Sequence, residues 1–276
     1  MKLIDFDGLF DEKLTQYMEE NKNKYTEKEW EDVIPRLYKK FGDMYVAKVK
    51  CTPKEYYAKM TDAELVETLR AHLQTDVPIP EFLCAETENR DVVEWLRPML
   101  FTDVQSATYA LNLIGDDARA YDDYFKLLET AETDEDLKND VIEIFKFHAD
   151  AVKDRVLVAY EKGVASEAML EILSRVKERD DRVYEILLSA FKTDDNLAMR
   201  ASFLAAYGDE RALPTLLNRI EDRSLGFVQF QELKYAIEAL GGEYNEPRDF
   251  TSDSEYLAVE AMSQKAAMQE EENFRS

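Results

Sequence analysis

The side chains with the most chemistry to offer are the carboxylates, 59 Asp and Glu in 276 residues. Many come in clusters: Asp116-Asp117, Asp122-Asp123, Asp134-Glu135-Asp136, Asp180-Asp181, Asp194-Asp195 and Asp209-Glu210. Adjacent carboxylates can bind a cation, attract a basic partner or work as general acid and base. No segment has the D-x-[DN]-x-[DN]-G spacing of a calcium loop, and spacing alone singles out no catalytic pair. Each cluster instead falls where a helix is predicted to start, where a carboxylate accepts free backbone N–H groups at the positive dipole end. Capping is the role expected of each.

The other reactive groups are few. His72 and His148 are the only histidines and neither is followed by Glu; His148, at a helix end, reads as a dipole partner or a core-edge residue. Cys51 and Cys84 lie far apart, which fits free thiols in a reducing compartment. There is no G-x-S-x-G, Walker or G-x-G-x-x-G motif, and the glycines fall at helix ends. The expectation is a non-enzyme with no catalytic, cofactor-binding or metal-binding residue.

Composition sets the frame. With 45% hydrophobic and 34% charged residues, 8 Gly and 7 Pro, the chain is predicted to be folded and all-α. The net charge is −24 and uneven: residues 1–90 carry −5 and residues 91–276 carry −19. Binding to nucleic acid or to an anionic membrane surface needs basic patches, so neither partner is expected. No apolar run approaches the roughly 18 residues of a membrane span, and MKLIDFDGLF does not read as a secretory signal, which places the protein in the cytoplasm.

Residues 1–90 read as an irregular helical N-terminal region. A helix is predicted over Leu9–Glu20, and a second after the capping box of Thr26 and Glu29, kinked or restarted at Pro35 and ended by Gly42. The stretch Met44–Thr52 reads as a short strand or an extended linker. Pro53 opens a short helix, and Thr61 with Glu64 caps another, with Leu65, Leu69 and Leu73 on one face. From Asp91 the pattern becomes helix pairs, beginning with an apolar face of Trp95, Leu96, Met99 and Leu100.

The pairs repeat. Gly115, Gly208 and Gly241 each follow a helix; with Ala149 and Lys177 as the missing anchors, the successive spacings are 34, 28, 31 and 33 residues. Counting back 11, 8, 4 and 1 positions from each anchor should reach the core. The position four before is Leu111, Phe145, Leu173, Leu204 and Ile237, apolar every time, whereas Lys138, Ser166 and Arg200 interrupt the earlier positions.

Within these units Arg200, Ala201, Ala205, Gly208, Asp209, Arg211, Ala212, Leu213, Pro214 and Leu217 follow the pattern V-R-x-x-A-x-x-A-L-x-x-I-G-D and E-R-A-L/V-P-x-L. This stretch, with GDDARAYDDYFKLL from Gly115, resembles the short HEAT repeats of phycobilisome-lyase-like proteins. The likeness is clear for the units ending at 115, 208 and 241, weak for the two between and absent before about residue 90. It implies an α-α superhelix: 1–90 capping the solenoid, 91–242 forming about five helix pairs, and 243–276 a C-terminal capping helix and frayed tail. It also implies that Arg200 pairs with Asp194 or Asp195 and that the usual work is binding other macromolecules.

The face of the second helices left free by the core rows would then line the concave side. The residues expected to bind a partner there are Gln105, Tyr109, Asn112, Glu143, Lys146, Glu171, Ser202, Tyr235 and Glu238, with a protein or peptide, preferably basic, as the ligand. Two other readings stay open: an enzyme of the chromophore-lyase or DNA-glycosylase type on the same scaffold, and an acidic mimic of nucleic acid.

Overall fold

Capping chemistry decides where the first helices begin. The computed structural model describes residues 3–22, 24–193 and 195–275, with 264 and 266–275 as backbone alone. Asp5 accepts the Gly8 N–H at 2.7 Å and opens α1 (Phe6–Glu20), earlier than the apolar spacing indicated. Reciprocal Thr–Glu boxes open α2 (Glu27–Phe41) from Thr26, α3 (Pro53–Ala58) from Thr52 and α4 (Asp62–Leu73) from Thr61. The α2 helix runs unbroken through Pro35; the ring is exposed, so the carbonyl of Glu31 that loses its N–H partner faces water. Between α2 and α3 there is no strand, only turns and one antiparallel bridge between Val46 and Cys51.

Among the described residues the chain has sixteen α-helices and three 3₁₀ helices and no strand, so it is all-α. It divides into two compact units, residues 1–138 and 139–276. In the first, α1 to α4 are followed by α5 (Glu81–Glu88), α6 (Val93–Leu96), α7 (Val104–Ile114) and α8 (Tyr121–Glu129). Helices from both sides of residue 90 pack together here, α4 against α5, α6 and α7. Its core is aromatic: Phe82 stacks on Tyr38 at 4.7 Å, and Phe10 meets the same Tyr38 edge-on at 4.9 Å. Arg90 closes α3 from a distance, donating to the carbonyls of Met60 at 2.7 Å and Ala58 at 3.0 Å while Asp62 and Glu86 balance its charge.

The predicted face Trp95, Leu96, Met99 and Leu100 is only partly buried. Leu96, Met99 and Leu100 are in the core, but Trp95 is 52% exposed. The reason is local: α6 lasts one turn and passes into a 3₁₀ helix over Arg97–Phe101, whose three-residue winding aligns Leu96 with Met99 and leaves Trp95 outside.

The helix α9 (Glu135–Phe147) leads from one unit into the next. The second unit continues with α10 (Ala149–Glu161), α11 (Ser166–Leu173), α12 (Asp181–Lys192), α13 (Leu197–Tyr207), α14 (Leu213–Ile220), α15 (Phe227–Ala239) and α16 (Ser254–Arg275). Alternate helices are neighbours: α13 packs against α11 and α15, while α10, α12 and α14 back onto α11, α13 and α15. The five residues four before each anchor are at most 2% exposed. Eleven before, the row fails at Val104, which is 53% exposed, and is only half-buried at Lys138 and Ser166, because Val104 and Ser166 are first residues of short helices and project beyond the packed layer. Gly115 and Gly208 turn with φ of 59° and 72°, as helix-ending glycines do.

Three turns share one Asp-x-Arg device. Asp117, Asp180 and Asp209 each accept the backbone N–H two residues on, at 2.9 to 3.0 Å, and the guanidinium of that same residue. The arginine then reaches back to an earlier turn or helix: Arg119 to Asp91 at 2.7 Å, Arg182 to Asp154 within α10 at 2.9 Å and Arg211 to Asp181 at the start of α12 at 2.9 Å. Two clusters depart from the capping expectation. Asp123 is buried and ion-paired with Arg97 and Lys126. The α13 helix starts from Asn196 in the left-handed region without a side-chain cap; Asp195 is exposed beside it, and Asp194 lies outside the described residues.

The tail helix exposes apolar side chains to water. Among the described side chains of α16, Tyr256 packs back, 5.1 Å from Phe227, whereas Val259 is 47% and Met262 71% exposed; the backbone stays helical to Arg275.

Two outcomes are expected. Gly42 has an ordinary helical φ of −54°, so it is needed for space: a Cβ there would stand 2.5 Å from the Phe82 ring. Alanine gains about 0.5–1 kcal/mol of backbone entropy, but Phe82 is locked against Tyr38, and overpacking costs about 1–3 kcal/mol; Gly42→Ala should lower the urea midpoint. The second outcome concerns acid. Hydrogen bonds from Arg119 and Arg182 hold Asp117 and Asp180 at about 2. Folded values below the unfolded value of about 3.9 mean that the clamps stabilise fully above about pH 4 and stop doing so as pH falls toward 2. The melting temperature should drop across that window, and Asp180→Asn should start lower at neutral pH and drop less; an equal drop would remove the clamp as its source.

Candidate partner-binding surface

Of the residues expected to bind a partner, the structure draws three together. In the second unit Lys146, near the end of α9, donates to Glu143 at 2.6 Å and to Glu171 of α11 at 2.8 Å. Burial alone would depress the lysine, but the two carboxylates outweigh it and hold its pKa above the ordinary value. The ammonium is therefore a fixed bridge between two helices.

The rest are placed differently. Gln105 and Asn112 are exposed on α7 in the first unit, whereas Tyr109 is half-buried with its hydroxyl 3.1 Å from Cys84 Sγ. Burial first, then that contact, pushes the Tyr109 hydroxyl well above the usual tyrosine range, so it is not an acid–base group near neutrality. Ser202 is half-buried and donates to the Met199 carbonyl at 2.8 Å. Tyr235 is 62% exposed on α15, and Glu238 lies 3.9 Å from Lys234.

Beside the Lys146 bridge lies a pocket of about 390 Å³ lined by Glu143, Lys146, Phe147, Arg175 and Lys177. Phe147, the last residue of α9, is 83% exposed, the highest value among the large hydrophobic residues described. Phe145, two residues earlier, is fully buried; two residues turn a helix by about 200°, which puts Phe147 on the opposite side. Arg175 and Lys177 flank Val176, which is 2% exposed and anchors the turn after α11. Asp150, in the first turn of α10, fixes that turn by accepting the N–H groups of Lys177 and Glu178, both at 3.0 Å. Neither the Arg175 nor the Lys177 side chain has an ion pair among the described residues, unlike Lys146.

The first unit also exposes an aromatic residue at a pocket. Trp95 borders a space of about 370 Å³ with Val66, Arg70, Pro98 and Met99 in its walls.

Arg200, which breaks the apolar row, is 5% exposed and bonds Glu167 of α11 rather than Asp195. The pairing follows from packing, since α11 is the helix against which α13 lies. His72 is buried, with Nδ1 3.1 Å from the Val77 carbonyl; His148 is half-buried where α9 passes into α10. Among the described residues no three His, Cys, Asp or Glu side chains converge as a metal site requires. Comparison with protein-family models, with curated proteins and with solved structures finds no match.

The Asp150 bond generates a local prediction. Asp150→Ala should lower stability by about 1–2 kcal/mol, the cost of a lost carboxylate cap. Amide hydrogen exchange should accelerate at Lys177 and Glu178 ahead of the rest of the second unit. Exchange unchanged at those two amides would show that Val176 alone holds the turn.

Proposed function

We propose that this chain is a non-enzymatic scaffold of HEAT-like stacked helix pairs that binds a protein or peptide. The observation that carries the reading is Phe147, a large aromatic side chain held 83% exposed at the rim of a pocket walled by charged residues. An aromatic anchor beside charged groups is the composition of binding hot spots, and folding alone gives no reason to keep it in water. Trp95 with Arg70 repeats the combination in the first unit.

The net charge of −24 disfavours nucleic acid and steers an overall basic protein toward the surface at long range. Among the described residues no helix is long and apolar enough to cross a membrane. The cytoplasm belongs to the same proposal: Cys51 and Cys84 are free thiols, which suits a reducing compartment.

The test is capture from lysate on the immobilised full chain, at about 50 and 300 mM salt, with wild type and Phe147→Ala side by side and mass spectrometry as the readout. Wild type should retain a discrete partner more strongly at the lower salt, because screening shortens from over 10 Å to a few Å across this range. Phe147→Ala should retain at most one tenth as much. No discrete partner at either salt, or equal retention by the two proteins, overturns the reading.

A further inference from the structure

We propose that the pocket beside Phe147 docks an acidic peptide segment in which a carboxylate stands next to an apolar side chain. The inference rests on the protein-binding reading and names the chemistry of its contact.

Several cations of this chain are committed to its own acids. Arg90, Arg97, Arg119, Arg182, Arg200 and Arg211 each pair with at least one carboxylate, and Lys146 pairs with two. Arg175 and Lys177 differ, because both are exposed and both line the pocket that Phe147 borders. Glu143 and Glu171 carry two negative charges against three positive ones on Lys146, Arg175 and Lys177, so the pocket and its bridge keep a net charge of +1. A carboxylate from outside would meet a guanidinium and an ammonium that make no ion pair among the described residues, while the aromatic face of Phe147 covers the neighbouring apolar side chain.

The geometry is preset rather than induced. Asp150 holds the backbone of Lys177, and Val176, buried, turns its two neighbours outward. An incoming peptide therefore does not bear the cost of ordering that turn.

This contact also differs in sign from the field of the whole molecule. At low salt the net −24 repels an acidic peptide over tens of ångströms, and near 0.1 M the repulsion is screened beyond about 10 Å while contact pairs persist. An acidic peptide drawn only by this pocket should lose little affinity between about 20 and 150 mM salt. A basic peptide drawn by net charge should weaken steeply over the same interval.

The experiment is an NMR titration of the full ¹⁵N-labelled chain with end-blocked hexapeptides. One alternates Asp and Leu; the controls replace Asp by Asn or by Lys. The Asp peptide should shift the amides of Phe147 and Lys177 first. It should bind at least tenfold more tightly than the Asn peptide, and lose tenfold or more in Arg175→Glu/Lys177→Glu and several-fold in Phe147→Ala. These side chains are exposed, and unchanged melting temperatures would show the variants folded. Equal binding of the Asp and Asn peptides, tighter binding of the Lys peptide at these amides, or undiminished binding by the double variant overturns the inference. If lysate capture depends on Phe147 while the Asp peptide causes no shift, the acidic-segment inference falls and protein binding stands; if neither occurs, both fall.

Discussion

A carboxylate that accepts a backbone N–H from the second residue on, and the guanidinium of that same residue, is the interaction on which the stacking depends. It ends one helix, starts the next and aims the arginine backward in one short motif. Its burial varies: the Asp side chain is 29% exposed at Asp117 but 11% at Asp180 and 8% at Asp209. Exposed ion pairs contribute about 0–1 kcal/mol, so the outward link to Asp91, Asp154 or Asp181 mainly sets orientation. The buried Asp, once desolvated, must keep its partners, and this makes the turn rigid. In the second unit the clamp ties the start of α12 to α10 and the turn before α14 to the start of α12.

The all-α class was legible because helical winding is visible in one dimension. The row four before each anchor and the left-handed glycines at 115 and 208 depend only on local winding, so counting found them. Features that depend on what lies opposite were not legible. Gly42 ends α2 as expected, but its lack of a side chain answers to Phe82, forty residues away. Trp95 followed a helical spacing, and the change to 3₁₀ winding removed it from the face that the spacing defined. Arg90 carried no local signal, since its partners are the carbonyls that end α3. The partner of Arg200 has the same origin: the resemblance pointed to Asp194 or Asp195, of which Asp194 lies outside the described residues, and the packing of α13 on α11 supplies Glu167.

The candidate surface was legible in part for a related reason. Glu143, Lys146 and Glu171 were found by register, and register does predict which residues of neighbouring helices meet. Phe147 was passed over because it sits off the apolar row, although a large apolar residue off the row is itself the signal of an exposed anchor. Arg175 and Lys177 are meaningful only through Asp150, which sets their turn, and through their place beside Phe147, which a sequence does not display. The acids, conspicuous in composition, turn out largely occupied with caps and internal ion pairs. The scarcer cations define the chemistry left over.

The reach of the clamp also bears on how the chain acquires its structure. Arg119 and Asp91 are 28 residues apart, as are Arg182 and Asp154. Loop-closure entropy grows only logarithmically with length, so contacts at this separation form early and keep contact order low. A ribosome adding about 5–20 residues per second presents both members of such a pair within roughly two to six seconds. Each clamp can then close before the next helix is complete, and the nascent chain sheds its exposed apolar rows one pair at a time instead of holding them all until release.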